Sequence, residues 1–344
     1  MRGHTVARRL LIALAALCAL ALASCANADA PQDVFRPVGD HAIKADRLWD
    51  IVFPIAVVIF FLVQGALVFA LVRFRHRPGR QAEQFHGNTK LEVILTLVPA
   101  MILAGIAIPT VKTVFELAEP PKGDDVINVT VIAHQFWWEY RYPDLGIETA
   151  NDMHIPTGVP VAVAIKGVTI EDDVIHSFWV PRLAGKQDAV PGRTTHLTLR
   201  TDQEGTYKGQ CTEFCGLSHA NMRLQVIAQS PEEFDEWVAE QRRPAAPAEE
   251  GLAAEGEKLF LATTPGCINC HAIGGTDAQG DTGPDLTHFA SRELFAGDTF
   301  VNNDANLAQW LENPPEMKPG ARMPDYGLTK AEIDALVAYM RTLE

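Results

Sequence analysis

Charge is scarce in this chain, and positive charge scarcer still: 21% of its 344 residues are charged, with 29 Lys and Arg against 43 Asp and Glu. The net charge of −14 opposes a phosphate backbone and argues against a nucleic-acid partner. A basic protein partner suits it better. Cysteine is also sparse. The six comprise Cys18 and Cys25 near the N-terminus and the close pairs Cys211/Cys215 and Cys267/Cys270, which leaves none for a long-range disulfide. No internal repeat is present. What abounds is apolar: 47% of residues, with mean hydropathy +0.02, which excludes a disordered chain and points to membrane attachment. The length allows roughly two domains at about 150 residues each.

Residues 1–24 read as an export signal, with Arg2, Arg8 and Arg9 before an apolar run from Leu10 to Ala23 that is too short to span a bilayer. Leu22-Ala23-Ser24-Cys25 resembles a bacterial lipoprotein cleavage site, which would make Cys25 a lipidated N-terminus. Ordinary cleavage near Ala26-Asn27-Ala28 is the alternative. An exported segment, 25–47, follows. Within 48–112, Ile51 to Val72 and Val93 to Val111 carry no formal charge, and 22 residues at 1.5 Å each reach about 33 Å, enough for a hydrocarbon core of about 30 Å. Arg73, Arg75, Arg77, Arg80 and Lys90 lie between them, so the loop of this hairpin is expected inside the cell and everything after Lys112 outside.

Residues 113–241 hold short β-rich runs (126–133, 159–166, 195–201, 223–229) punctuated by Pro and Gly, the pattern of an antiparallel sandwich. A helix follows, with Ser230 and Glu233 as a capping box and Pro231 in its first turn. RRPAAPAEEG, 242–251, reads as a linker. In 252–344, helical patterns cover 252–263, 306–312 and 330–343, the last with Thr329 and Glu332 as a capping box and Ile333, Leu336, Val337 and Met340 on one face.

Two constellations carry chemistry. Cys211, Glu213, Cys215, His219 and Met222 form C-x-E-x-C-x3-H-x2-M, a soft donor set suited to copper or zinc. Cysteines four apart can each bridge two ions, whereas a mononuclear blue-copper site uses one Cys, two His and an axial Met. A second ion requires a second imidazole, and His176 in DVIHSFWVP is the natural candidate. A local disulfide or a zinc site would need neither Met222 nor His176. The second constellation, Cys267-Ile268-Asn269-Cys270-His271, is the C-x-x-C-H attachment motif of c-type haem. Met323 in KPGARMP, 52 residues on, stands where a class I cytochrome c places its axial methionine; Met317 is its rival, and Met340 belongs to the apolar helix face.

With DVIHSFWVP upstream and KQDAVPGR between, the copper-type loop resembles subunit II of cytochrome c oxidase, and the tail resembles class I cytochrome c; together they resemble the haem-copper oxidases whose subunit II carries a fused cytochrome c domain. The match runs from about Ala45 to Glu344. The resemblance implies a two-helix transmembrane hairpin, an all-β cupredoxin-like sandwich and an all-α cytochrome c domain. It implies a binuclear copper A with Cys211 and Cys215 bridging, His176 and His219 terminal, Met222 weak and the Glu213 carbonyl ligating, while the Glu213 side chain faces a magnesium shared with subunit I. Haem c would be held by Cys267 and Cys270 with His271 and Met323 axial.

The implied role is an electron relay from a cytochrome c or other basic donor, through haem c and copper A, to the oxygen-reducing, proton-pumping centre of subunit I. Subunit III and the lipid bilayer of the bacterial inner membrane complete the surroundings, with both redox domains on the outer face. A copper A subunit of a nitric oxide reductase and a lipid-anchored copper-binding protein are the rival readings. The resemblance also places Glu92, at the cytoplasmic mouth of the second span, at a proton-path entrance; an interfacial carboxylate is the plainer alternative. In His134-Gln135-Phe136-Trp137-Trp138, Phe136 stands where many relatives have the tryptophan that admits electrons, so that role is not carried over. The tail holds 14 acidic and 6 basic residues, a surface that favours solubility or a basic donor.

Overall fold

The computed structural model describes residues 12, 18, 30–76, 78–79, 86–121, 123, 125–168 and 174–344. Cys25 with both cleavage alternatives, and Arg77 and Arg80 of the hairpin loop, lie outside the described residues.

Helices α1 (Asp40–Arg73) and α2 (Thr89–Ala118) touch one another, and both are long and apolar enough to cross a membrane. Their apolar flanks, including Phe60, Leu62, Leu95 and Leu103, are exposed, as suits side chains whose solvent is lipid. Pro54, Pro99 and Pro109 are accommodated inside the helices. At 34 residues α1 is about 51 Å long, more than a hydrocarbon core of about 30 Å needs. The surplus serves as a foot: the Arg200 guanidinium donates to the Asp40 carboxylate at 2.8 Å, and Val38 N–H donates to Arg182 O at 2.8 Å.

Strands β1 (Ile127–His134), β2 (Trp137–Tyr142), β3 (Ile147–Ala150), β4 (Asp152–Pro156), β5 (Val161–Gly167), β6 (His176–Trp179), β7 (Gln187–Ala189), β8 (Thr194–Leu199), β9 (Gly205–Cys211) and β10 (Arg223–Gln229) form two five-stranded sheets. Their orders are β3-β2-β1-β5-β8 and β4-β10-β9-β6-β7. Alternation does the work on β1, where Val129, Val131 and Ala133 face the core and their neighbours do not. The sandwich is mixed rather than purely antiparallel: β1 runs parallel to β5, and β4 parallel to β10. The physical reason is connectivity. The chain leaves the first sheet after β3, lays β4 in the second and returns as β5, and such a crossover can deliver a strand in the same direction, which a hairpin cannot.

Helix α3 (Pro231–Gln241) has both halves of its Ser230/Glu233 capping box at 3.2 Å and lays Phe234 and Val238 on the sandwich. Residues 242–251 form an ordered strap. Arg242 Nε donates to Leu145 O at 2.8 Å, and Ala245, itself part of the tail's core, donates its N–H to Gly274 O at 2.9 Å.

The tail contains α4 (Leu252–Leu261), a two-stranded sheet of β11 (Leu294–Phe295) and β12 (Phe300–Val301), α5 (Asp304–Glu312), the short α6 (Pro314–Met317) and α7 (Lys330–Met340). Helix α5 starts earlier than its apolar pattern because the Asn303 side chain accepts from Asn306 N–H at 2.9 Å, and α6 starts because Asn313 does the same for Glu316 at 3.1 Å. Helices α4 and α7 cross in contact at Gly256, where any Cβ would overlap the Ala335 carbonyl. The face of Ile333, Leu336, Val337 and Met340 is buried as its spacing predicts.

Candidate copper and haem centres

The sandwich brings the first donor set together from three strands and one loop. His176 opens β6, Cys211 ends β9, and Met222 stands just before β10. The intervening loop is closed at its base, where Cys211 N–H donates to Met222 O at 2.9 Å and Thr212 N–H to Ser177 O at 3.0 Å. Cys211 Sγ then lies 3.8 Å from Cys215 Sγ, 3.8 Å from His176 Nδ1 and 3.2 Å from Glu213 O. Cys215 Sγ lies 3.6 Å from His219 Nδ1 and 3.8 Å from Met222 Sδ. His176, Cys211, Cys215 and Met222 are almost wholly buried.

This set fits copper on its own chemistry. Sulfurs 3.8 Å apart subtend about 111° at an ion bonded to both at about 2.3 Å, close to tetrahedral. Donor atoms of His176, Cys211 and Cys215 lie within 4.8 Å of one another, while His219 approaches from the Cys215 side, so two thiols and two imidazoles converge, enough donors for more than one ion. The thiols agree. The Cys211 thiol is pulled down to about 4 by the Cys215 S–H that faces it, and the Cys215 thiol is pushed up by Cys211, so ionising both calls for cationic charge between them.

In the tail, Cys267, Cys270, His271 and Met323 line one apolar pocket. His271 Nδ1 lies 2.9 Å from Pro284 O, which makes Nδ1–H the donor and leaves the Nε2 lone pair for an iron. Burial lowers the His271 pKa and keeps that imidazole neutral. A Cβ on Gly283 would sit 2.6 Å from His271 Cε1, so the ring packs flush against backbone. The residues present therefore fit a covalent haem. Met340 also lines this pocket but belongs to the packed face of α7.

The remaining residues singled out by sequence have the following surroundings. Glu92 is exposed, and its carboxylate accepts from Asn88 N–H at 3.3 Å while the Asn88 side chain accepts from Leu91 N–H, a reciprocal cap on α2. The Glu213 side chain is exposed. Trp138 is fully buried, edge-on to Phe178 at 5.6 Å. Trp137 stacks on His134 at 4.2 Å and lines the haem pocket. His154 stacks on Trp237 at 4.4 Å, and Trp310 packs edge-on to Phe295 at 5.9 Å. His288 is buried, its Nδ1 2.8 Å from Glu344 O and its Nε2 3.2 Å from Gln241 O.

Sequence reasoning missed three residues that shape these sites. Gln135 donates from Nε2 to Cys215 O at 2.5 Å. Asp188 accepts from the Ser177 hydroxyl at 2.7 Å, beside His176, and its only signal was membership of KQDAVPGR. Lys318 is 3% exposed, although a lysine in a Pro-Gly loop reads as solvated.

A membrane hairpin, a β-sandwich bearing a sulfur-and-imidazole centre and a helical domain with a C-x-x-C-H pocket define a membrane-anchored copper and haem electron-transfer protein. Comparison with known proteins narrows the class. Residues 39–113 match the transmembrane domain of cytochrome c oxidase subunit II, residues 127–229 its periplasmic domain, and residues 253–344 cytochrome c. Cytochrome c oxidase subunit 2 of Alkalihalophilus pseudofirmus is 37% identical over 312 residues, covering 89% of this chain and 86% of its own. That of Bacillus subtilis is 33% identical over 355 residues, covering 97% of each. The periplasmic domain of subunit II of cytochrome oxidase from Bradyrhizobium japonicum, a solved structure, is 29% identical and covers 36% of this chain and 97% of its own, with a TM-score of 0.33. This chain belongs to the cytochrome c oxidase subunit II family, in the form that carries its own cytochrome c domain. It is a membrane-anchored subunit of a haem-copper oxidase that works with subunit I.

Proposed function

We propose that this subunit is the oxidase's electron relay: a basic cytochrome donor docks on the acidic tail, and single electrons pass through haem c and copper A to subunit I, where oxygen is reduced to water and protons are pumped. One observation supports this above the rest. Gln135, Phe136 and Trp137 of the copper domain line the haem pocket, and Gln135 also bonds Cys215 O, so the two centres share a wall.

When bound, copper A and haem c supply reversible one-electron chemistry. Cys211, Cys215, His176, His219, Met222 and the Glu213 carbonyl would hold the coppers. The strand ladder around β6, β9 and β10 holds these donors and the packed core excludes water, which keeps reorganisation small. Cys267 and Cys270 would hold the haem covalently, and His271, its ring fixed by Pro284 O, and Met323 would hold its iron. In this reading the Glu213 carboxylate faces a magnesium at the subunit I contact, Glu92 marks a proton entrance, Cys25 carries lipid, subunit III completes the complex, and the hairpin lies in a bacterial inner membrane.

The test is metal and haem analysis of the purified complex, followed by flash reduction of haem c. Two coppers and one covalent haem in this chain, a delocalised mixed-valence copper resonance and haem-to-copper transfer are expected. A mononuclear copper signal, or a reduced haem that never reduces copper, would refute the relay.

A further inference from the structure

We infer that Lys318 is a positioning residue that locks the haem-bearing tail onto the copper domain, its ammonium tying together two backbone carbonyls, one from each domain. The inference rests on the relay reading and supplies what that reading leaves open, namely how two centres on separately folded domains keep a fixed separation.

Lys318 Nζ donates to Phe136 O of the copper domain at 2.7 Å and to Ala296 O of the tail at 2.6 Å. A buried ammonium is costly unless its donors are used, and here two carbonyls use them. Burial pulls Lys318 down to about 7 and pushes the nearby buried Asp298 carboxyl up, and the attraction between the two opposes both shifts. Such a group is poorly explained as a solubilising side chain and well explained as a joint.

The contacts around it run in the same direction. Ser218 Oγ donates to Pro319 O at 2.6 Å, Thr299 Oγ1 to Asn221 O at 3.0 Å, and Arg223 N–H to Gly297 O at 3.0 Å, each across the seam. Arg322, next to Met323, donates to Gln135 Oε1 at 2.7 Å, and Gln135 in turn donates to Cys215 O. One amide side chain thus connects the neighbour of the haem's expected axial ligand to a copper ligand. Gly297 sets how closely the domains meet: its φ is +74°, and a Cβ there would lie 2.6 Å from Lys318 Nζ and 2.7 Å from Phe136 O. A strap such as 242–251 would by itself keep the tail nearby without fixing its orientation.

The experiment uses the whole oxidase complex carrying Lys318→Met. Haem c is flash-reduced and copper A reduction followed, the haem band and copper resonance report intact centres, and hydrogen exchange at the Arg223 amide reports the seam. Losing a buried, charge-assisted bond is expected to shift the docked-to-undocked ratio by about ten- to a hundredfold. Arg223 exchange should rise by a similar factor and transfer should slow, with both spectra retained. Gly297→Ala, which keeps the lysine but drives a methyl between Lys318 Nζ and Phe136 O, should act in the same direction and decides the matter if Lys318→Met fails to load its centres. Transfer and exchange both unchanged in the loaded variants, or transfer slowed with exchange unchanged, would overturn the joint. A wild-type complex in which reduced haem c never reduces copper A would instead overturn the relay.

Discussion

The two redox sites are built on opposite plans. The copper loop borrows its order from β-ladders: its ligands lie on or beside β6, β9 and β10, and Cys211, Cys215 and Met222 share one packed core with Trp138, Phe178 and Leu224. The haem pocket borrows little from regular structure. Its walls come from loops, α4, α5, α7 and the neighbouring domain, and its apolar lining of Phe260, Leu286, Leu307 and Leu336 faces a space a porphyrin would fill. In the sandwich the fold makes the site; in the tail the prosthetic group is part of the fold.

Crossing the two cysteine pairs is the strongest way to break that comparison. Replacing Cys267 and Cys270 together by alanine should cost the tail its cooperative unfolding transition and expose it to proteolysis, with the copper resonance kept. Cys211→Ala should abolish that resonance and electron transfer while the sandwich, though less stable, still unfolds in one cooperative transition. Calorimetry with limited digestion checks both, and a tail that stays folded without its thiols would refute the contrast.

A smaller effect sharpens it from the tail side. Gly256→Ala forces a methyl into the α4–α7 crossing and should destabilise the tail alone by about 1–3 kcal/mol, read as a lower tail melting temperature with sandwich melting unmoved. The smallest effect tests the sandwich. Burial lowers the His154 pKa from 6.5 to about 4, against a bond to Gln229 that acts the other way. The neutral ring is the one that fits, so its contribution is present above pH 6.5 and lost as pH falls towards 4, on the order of 2–3 kcal/mol for a partly buried ring. Asp152, raised to about 6 chiefly by burial, slopes the opposite way, so the difference between wild type and His154→Phe isolates the imidazole. Equal pH dependence of melting in the two proteins would rule it out.

Much of the site was legible because its signals are local. Both capping boxes and the buried face of α7 follow from spacing within one helix. C-x-x-C-H names its chemistry within five residues, and the loop from Cys211 to Met222 within twelve. His176 was reachable only through the need for a second imidazole, because 35 residues separate it from Cys211. The parallel strand pairs were not legible, since alternation reports which face a residue takes and not which strand lies beside it.

What the sequence by itself determined is the chemistry of each part: two apolar spans, a soft sulfur-and-imidazole donor set and a covalent haem motif, because these depend on residue type at short, fixed spacing. Only the tertiary structure decided how the parts meet. Gln135, Phe136 and Trp137 become a wall of a haem pocket more than a hundred residues away, and Lys318 leaves the solvated surface for a buried seam. The reason is that burial and backbone carbonyls from distant segments, not a residue's own neighbours, decide where a charge finds its partners.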